Sequence, residues 1–229
     1  VSTPEPFGRL FNQGYIQAYA YYDDRGMYVP ADEVKIGEPI TVPYEGPIDK
    51  KEYEKARKSG LSDEEIKKFI QKAQTSFYYK DKPVFRSLGK MGKSLKNAVS
   101  PDDICHEYGT DTLRAYEMYM GPLEASKPWS TRDIVGMSRF LQTFWRRFVS
   151  SDGSLKVTDT PADDGIRCLL HKTIKKVTAD MQGLRFNTAI AAMIELNNSL
   201  KGDKIPQEVA EPFVKLLSPI APHICEELW

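Results

Sequence analysis

The sequence predicts an α+β fold, with strands and helices mixed up to about residue 100 and almost only helices beyond it. Three observations lead there. Aromatic and β-branched runs, broken by turn clusters, lie before residue 100. Capped starts followed by apolar residues at helical spacing dominate after it. The change falls at Ser100, itself a strong helix-start signal, and a softer break comes at the Pro/Gly/Trp stretch 121–130.

Taken in order, Tyr15, Ile16, Tyr19, Tyr21 and Tyr22 are strand formers, Asp23-Asp24-Arg25-Gly26 is a turn cluster, and Met27-Tyr28-Val29 reads as the returning strand. Residues 30–50 hold Pro30, Pro39, Pro43 and Pro47, which favours loops and short edge strands. Residues 51–75 read as helical. Ser62 and Glu65 form a capping box there, Leu61 and Ile66 a hydrophobic staple, and Ile66, Phe69, Ile70 and Ala73 one apolar face. Residues 76–86 read as a short aromatic strand or linker. A second capped start has Ser100 at the N-cap, Pro101 at N1 and Asp103 at N3, with Gly109 as the stop. Further helices are expected at 111–120, 131–149, 163–182, 188–200 (with Asn187 as N-cap) and 207–217, and one begins near Ala221. On helix 131–149 the apolar side is Ile134, Met137, Leu141, Phe144, Trp145 and Phe148.

Hydrophobic residues make up 41% and charged residues 28%, so a chain of 229 residues can bury a core. The net charge is zero, which argues against a wholly basic nucleic-acid binder, but residues 51–100 hold 13 Lys/Arg against 6 Asp/Glu. Cys105, Cys168 and Cys225 lie far apart, with no metal-ligand spacing and no disulfide framework, which fits a reducing cytoplasm. No apolar run is long enough for a membrane span, and no signal peptide is visible. Val1 in place of Met, and a last helix cut in mid-course at Trp229, lead us to expect a piece of something longer.

The chemistry concentrates in Lys90-Met91-Gly92-Lys93-Ser94-Leu95-Lys96-Asn97, three lysines and a glycine just before a capped helix. Lysine supplies a mobile point charge suited to phosphate, and glycine gives the backbone freedom to approach a ligand. Ser94, Asn97 and backbone N–H groups add hydrogen-bonding capacity. A flexible cationic loop of this kind stabilises charge that develops on a polyphosphate during attack at its α-phosphorus.

The run Lys90–Ser94 resembles the KMSKS motif of class I aminoacyl-tRNA synthetases. Asn97-Ala-Val-Ser-Pro-Asp-Asp-Ile104 and Tyr108-Gly-Thr-Asp-Thr-Leu-Arg114 resemble the segment C-terminal to that motif in the leucyl, isoleucyl and valyl enzymes. Four stretches resemble the leucyl type specifically: Glu5–Gly14, Met118–Glu124 with Lys127–Thr131, Leu184–Ile190, and Pro219–Ile224.

The resemblance implies the C-terminal part of a Rossmann-like catalytic domain over residues 1–100, with an inserted module at about 28–85. A connecting helical region would come next at 101–135, and then the start of an α-helical anticodon-binding-type domain at 136–229. It implies ATP with Mg²⁺, leucine and the leucine tRNA as substrates, no tightly bound cofactor or metal site, a cytoplasmic monomer, and ATP-dependent formation of leucyl-adenylate by the whole enzyme. Lys93 matches the second lysine of the motif and Lys90 the first, and both are the expected phosphate contacts. Met91, Gly92 and Ser94 complete the ATP-binding loop. Gly92 departs from the pattern, where the usual residue is Ser. No HIGH-type motif is present and an editing domain has no room, so the chain alone is expected not to make leucyl-adenylate. An isoleucyl- or valyl-type fragment and a non-catalytic tRNA-binding module are the alternatives.

Arg139, Arg146 and Arg147 on helix 131–149 are candidate tRNA contacts, since guanidinium pairs well with phosphate. Trp145 is expected in the core, Lys172, Lys175 and Lys176 on the surface beside His171, His106 on a helix surface, and His223 as a packing residue.

Overall fold

The computed structural model describes residues 10–42 and 72–229. The Ser62/Glu65 capping box, its staple and its apolar face up to Ile70 lie outside the described residues, as do the first residues of the Glu5–Gly14 stretch. The chain divides into two units, one of Val1–Ala18 with Val99–Trp229 and one of Tyr19–Ala98.

The smaller unit takes in β1 (Ile16–Tyr22) from Tyr19 on, with β2 (Tyr28–Val29), β3 (Lys35–Val42), β4 (Lys72–Tyr79) and β5 (Lys82–Lys90), in the order β2-β1-β5-β4-β3. β1 and β2 pair antiparallel through Tyr21↔Val29 and Tyr22↔Tyr28, as the Asp23–Gly26 turn cluster predicts. Asp23 Oδ1 accepts the N–H groups of Arg25 and Met27 and closes that turn. β3 runs through Pro39 because it is the edge of the sheet, where a missing N–H is tolerated, and its register shifts between Ile36 and Pro39. The helical reading of residues 51–75 is corrected at its end, the only part of it among the described residues. Residues 72–75 belong to β4, with Ala73 opposite Thr41 and Lys72 opposite Val42, so ladder pairing overrides the helical pattern. β4 turns into β5 through Lys80 and Asp81, both at positive φ (48° and 61°), the geometry of a tight hairpin. Val29, Phe77 and Val84 form the small core of this unit, with Tyr21, Val34 and Tyr79 packed against it.

The larger unit is helical: α1 (Pro101–Tyr108), α2 (Thr110–Tyr119), α3 (Ile134–Phe148), α4 (Asp164–Gln182), α5 (Phe186–Ser199), α6 (Gln207–Leu217) and α7 (Pro222–Leu228). Two-residue strands complete it: β6 (Lys127–Pro128), parallel to Ile16–Gln17, and β7 (Val157–Thr158), parallel to β8 (Ile205–Pro206). Ser100 caps α1 by accepting the Asp103 N–H, as expected. Gly109 is the single residue between α1 and α2, at φ +89° and ψ 148°, a region that L side chains rarely enter.

One core runs from Ile104 to Cys225, with Ile134, Phe144, Ile190, Met193, Leu196, Phe213 and Leu217 fully buried at its centre. Phe144 stacks edge-on against Phe213 at 4.9 Å and contacts Phe148 at 4.8 Å. Two expectations are corrected here. Trp145 is only half-buried and lies outside this core; Phe140, one turn before Phe144, fills the stripe instead. Asn187 is not the cap of α5. The helix begins at Phe186, and Asp180 on α4 organises the turn by accepting from Lys176 (2.8 Å), Arg185 (2.9 Å) and Thr188 (2.7 Å). No described helix is long and apolar enough to cross a membrane.

Candidate functional site

The lysine loop continues directly from β5, whose last residue is Lys90. Met91 and Gly92 continue in extended backbone. Lys93-Ser94-Leu95 then makes one 3-10 turn, ended by Lys96 in the left-handed region at φ 51°, ψ 33°. Gly92 sits at φ −179°, which any residue adopts, and a Cβ there would meet nothing within 4 Å. Its departure from the motif is therefore not required by geometry. Lys90, Lys93, Ser94 and Lys96 are exposed, and Met91 is partly so.

The loop is internally tied. The Gly92 carbonyl accepts from the Leu95 N–H (3.2 Å) and the Lys93 carbonyl from the Lys96 N–H (3.1 Å). Asn97, expected to offer hydrogen bonds to a ligand, is instead 4% exposed, and its Oδ1 accepts from the Gly92 N–H at 2.9 Å. The Ala31 N–H donates to the Lys96 carbonyl at 3.0 Å. Exposed ammonium groups on a backbone held in this way suit a polyphosphate.

The three arginines of α3 do not form one patch. Arg139 and Arg146, seven residues apart, share a helix side and are exposed. The Arg146 Nε–H donates to the Gln142 carbonyl. Arg146 also lines a cavity of about 630 Å³ with Tyr108, Asp111, Gln142, Trp145 and His223. Arg147 is turned away, half-buried, with its Nε lacking a hydrogen-bond partner among the described residues. It lines a second cavity of about 650 Å³ with Pro161, Ile166, Leu200, Lys201 and Lys204.

His223 is not a packing residue. Its ring is exposed, and its Nδ1 lies 2.7 Å from Asp111 Oδ1. The same carboxylate accepts from the Ile224 N–H at 2.8 Å and so caps α7. Asp111 had no local sequence signal, because its partners lie more than 110 residues away. Asn97 did have one, an Asx side chain five residues from the N–H it binds. His106 and the strip His171, Lys172, Lys175 and Lys176 are exposed, with Lys176 paired to Asp180. The three cysteines are free. Burial, with the Asp111 charge nearby, pushes the Cys225 thiol up to about 12, which keeps it unreactive.

Residues 163–229 match the family model of the anticodon-binding domain of tRNA ligase. The whole chain is similar to leucine–tRNA ligases. It is 48% identical to that of Salinispora tropica over 231 aligned residues, covering 100% of this chain and 20% of that protein. It is also 48% identical to that of Bifidobacterium longum, with the same coverage. Among solved structures, it is similar to LeuRS of Agrobacterium radiobacter in a ternary complex with tRNA and LeuAMS. That likeness has a TM-score of 0.52 and 31% identity, and covers 61% of this chain and 20% of that one. The chain thus spans about a fifth of the length of the curated relatives it matches. The resemblance drawn from scattered leucyl-like stretches is borne out along all of its residues.

Proposed function

We propose that this chain is a section of a leucine–tRNA ligase, and that the whole protein uses ATP to join leucine to its tRNA through leucyl-adenylate. The observation that carries this reading is the lysine loop lying inside a match of 48% identity that takes in every residue of the chain. In the first step the leucine carboxylate attacks the α-phosphorus of ATP and pyrophosphate leaves. The ammonium groups of Lys93 and Lys90 supply positive charge where negative charge develops on the departing oxygens. Met91, Gly92 and Ser94 shape the loop around the phosphates, and Mg²⁺ accompanies ATP as part of the substrate.

In this reading residues 1–100 belong to a Rossmann-like catalytic domain with an inserted module at about 28–85. Residues 101–135 connect, and residues 136–229 open a helical domain that braces tRNA. The similar Agrobacterium radiobacter protein holds tRNA in its complex, which supports tRNA as a partner here. Arg139 and Arg146 are the better candidates for its backbone, since both are exposed on one side of α3. Arg147 faces elsewhere and is the weaker candidate. The protein acts as a cytoplasmic monomer in this reading.

Leucine-dependent exchange of pyrophosphate into ATP by the full-length protein tests the reading. Lys93→Ala is expected to cut exchange by about a hundredfold or more, the scale of removing one preorganised charge contact, while tRNA binding stays within about twofold. Equal loss of both would overturn the role given to Lys93.

A further inference from the structure

The turn that carries Lys93 is held by a residue outside the motif. Asn97 is buried, and its side-chain oxygen takes the Gly92 N–H at 2.9 Å, closing residues 92–97 into a ring. Inside that ring Lys96 adopts a left-handed conformation that a lysine does not favour in isolation. Such a conformation persists where neighbouring bonds over-determine it. The bonds around it do so here: the Lys96 N–H on the Lys93 carbonyl at 3.1 Å, the Ala31 N–H on the Lys96 carbonyl at 3.0 Å, and the Asn97 clasp. Gly92 takes part through its backbone, the N–H to Asn97 and the carbonyl to the Leu95 N–H, and a Cβ there would meet nothing. The consequence falls on Lys93, whose backbone lies between the two ends of the clasp.

We infer that Asn97 is a positioning residue, which sets the geometry of the lysine loop through the Gly92 amide so that the Lys93 ammonium is presented without further ordering of the backbone. The inference rests on reading the loop as the ATP-binding element. A loop ordered beforehand has less conformational entropy to lose when the phosphates bind, so the effect belongs to ATP and to adenylate formation. Leucine affinity and the later transfer to tRNA do not draw on it.

The test uses the full-length protein and three variants. Asn97→Ala is expected to lower kcat/KM for ATP in pyrophosphate exchange by about tenfold or more, since small misplacements of a charged group carry losses of this size. KM for leucine and single-turnover transfer from preformed leucyl-adenylate should stay within about twofold. Hydrogen exchange in the peptide carrying Gly92 should quicken. Asn97→Asp, which keeps an acceptor oxygen, should restore the slow exchange. The inference is overturned if Asn97→Ala leaves kcat/KM for ATP unchanged, if it lowers ATP, leucine and transfer parameters alike, or if the Asp variant exchanges as fast as the Ala variant. Lys93→Ala separates the two levels. If it spares pyrophosphate exchange, the loop reading itself fails. If it abolishes exchange while Asn97→Ala is silent, only the clasp fails.

Discussion

Two glycines show how one residue type serves opposite ends. Gly92 lies in extended backbone with open space where a Cβ would stand, so the serine usual in the motif fits there. Gly92→Ser removes conformational freedom from the unfolded chain without strain and should stabilise by about 0.5 kcal/mol, leaving pyrophosphate exchange by the full-length protein within about twofold. A tenfold loss would show that the loop needs glycine while it works. Gly109, at φ +89° and ψ 148°, is the contrary case. Gly109→Ala should cost about 1–3 kcal/mol in urea unfolding, because an L side chain is strained in that region. Asp180 gives the residue scale a pH dependence. Burial raises its pKa, but hydrogen bonds from Lys176, Thr188 and Arg185 outweigh that and bring the carboxyl down to about 2. A carboxyl depressed in the folded state stabilises fully above its unfolded value near 3.9, and that contribution is lost as pH falls toward 2. Asp180→Asn should therefore destabilise by about 1–3 kcal/mol at pH 7, with the gap to the unmutated chain closing between about pH 4 and 2. A gap constant down to pH 2 would remove the charge from the explanation.

At the scale of elements, legibility tracked the locality of the stabilising interaction. Helix α1 was readable to the residue because its cap, Pro101 and Gly109 all act within one or two turns. The Lys80-Asp81 hairpin was not, since neither residue is the glycine or asparagine that announces positive φ at a tight turn. Lys72 to Thr75 carry a helical pattern, yet they pair with β3, a partner some thirty residues away that no local window contains. The start of α5 likewise depends on a partner outside the local window, since Asp180 on the preceding helix supplies what a local cap would. On α3 the apolar stripe holds Phe140 and not Trp145, because a residue 100° around from Phe144 sits at the edge of the stripe and not on it. Phe144 is the centre of this packing, fully buried against Phe148 and Phe213. Phe144→Ala should cost about 3–5 kcal/mol. Trp129, Trp145 and Trp229 all belong to the helical unit, so tryptophan fluorescence during urea unfolding reads this loss there. An unchanged midpoint would mean the aromatic cluster is not what holds the helices together.

At the scale of the molecule, the candidate chemistry is divided between two units. The lysine loop belongs to Tyr19–Ala98, and the arginines of α3 belong to the helical unit. The loop was legible as a site only through resemblance, because three lysines and a glycine also describe an ordinary surface turn. In the proposed reading its charges address the phosphates of ATP. Adenylate formation also requires that the adenosine and the leucine carboxylate be held in line with the α-phosphorus, and much of such a rate enhancement comes from that positioning. The chain matches about a fifth of the length of its leucine–tRNA ligase relatives and contains no HIGH-type motif. The isolated 229-residue chain should therefore exchange pyrophosphate into ATP, with leucine and Mg²⁺ present, at least about a thousandfold more slowly than the full-length protein, a gap of roughly 4 kcal/mol in barrier. Folding of the isolated chain, monitored by the same tryptophan signal, guards against an inactive sample being unfolded. A folded chain exchanging within tenfold of the full-length protein would overturn this division of labour and place a complete adenylating site within these residues.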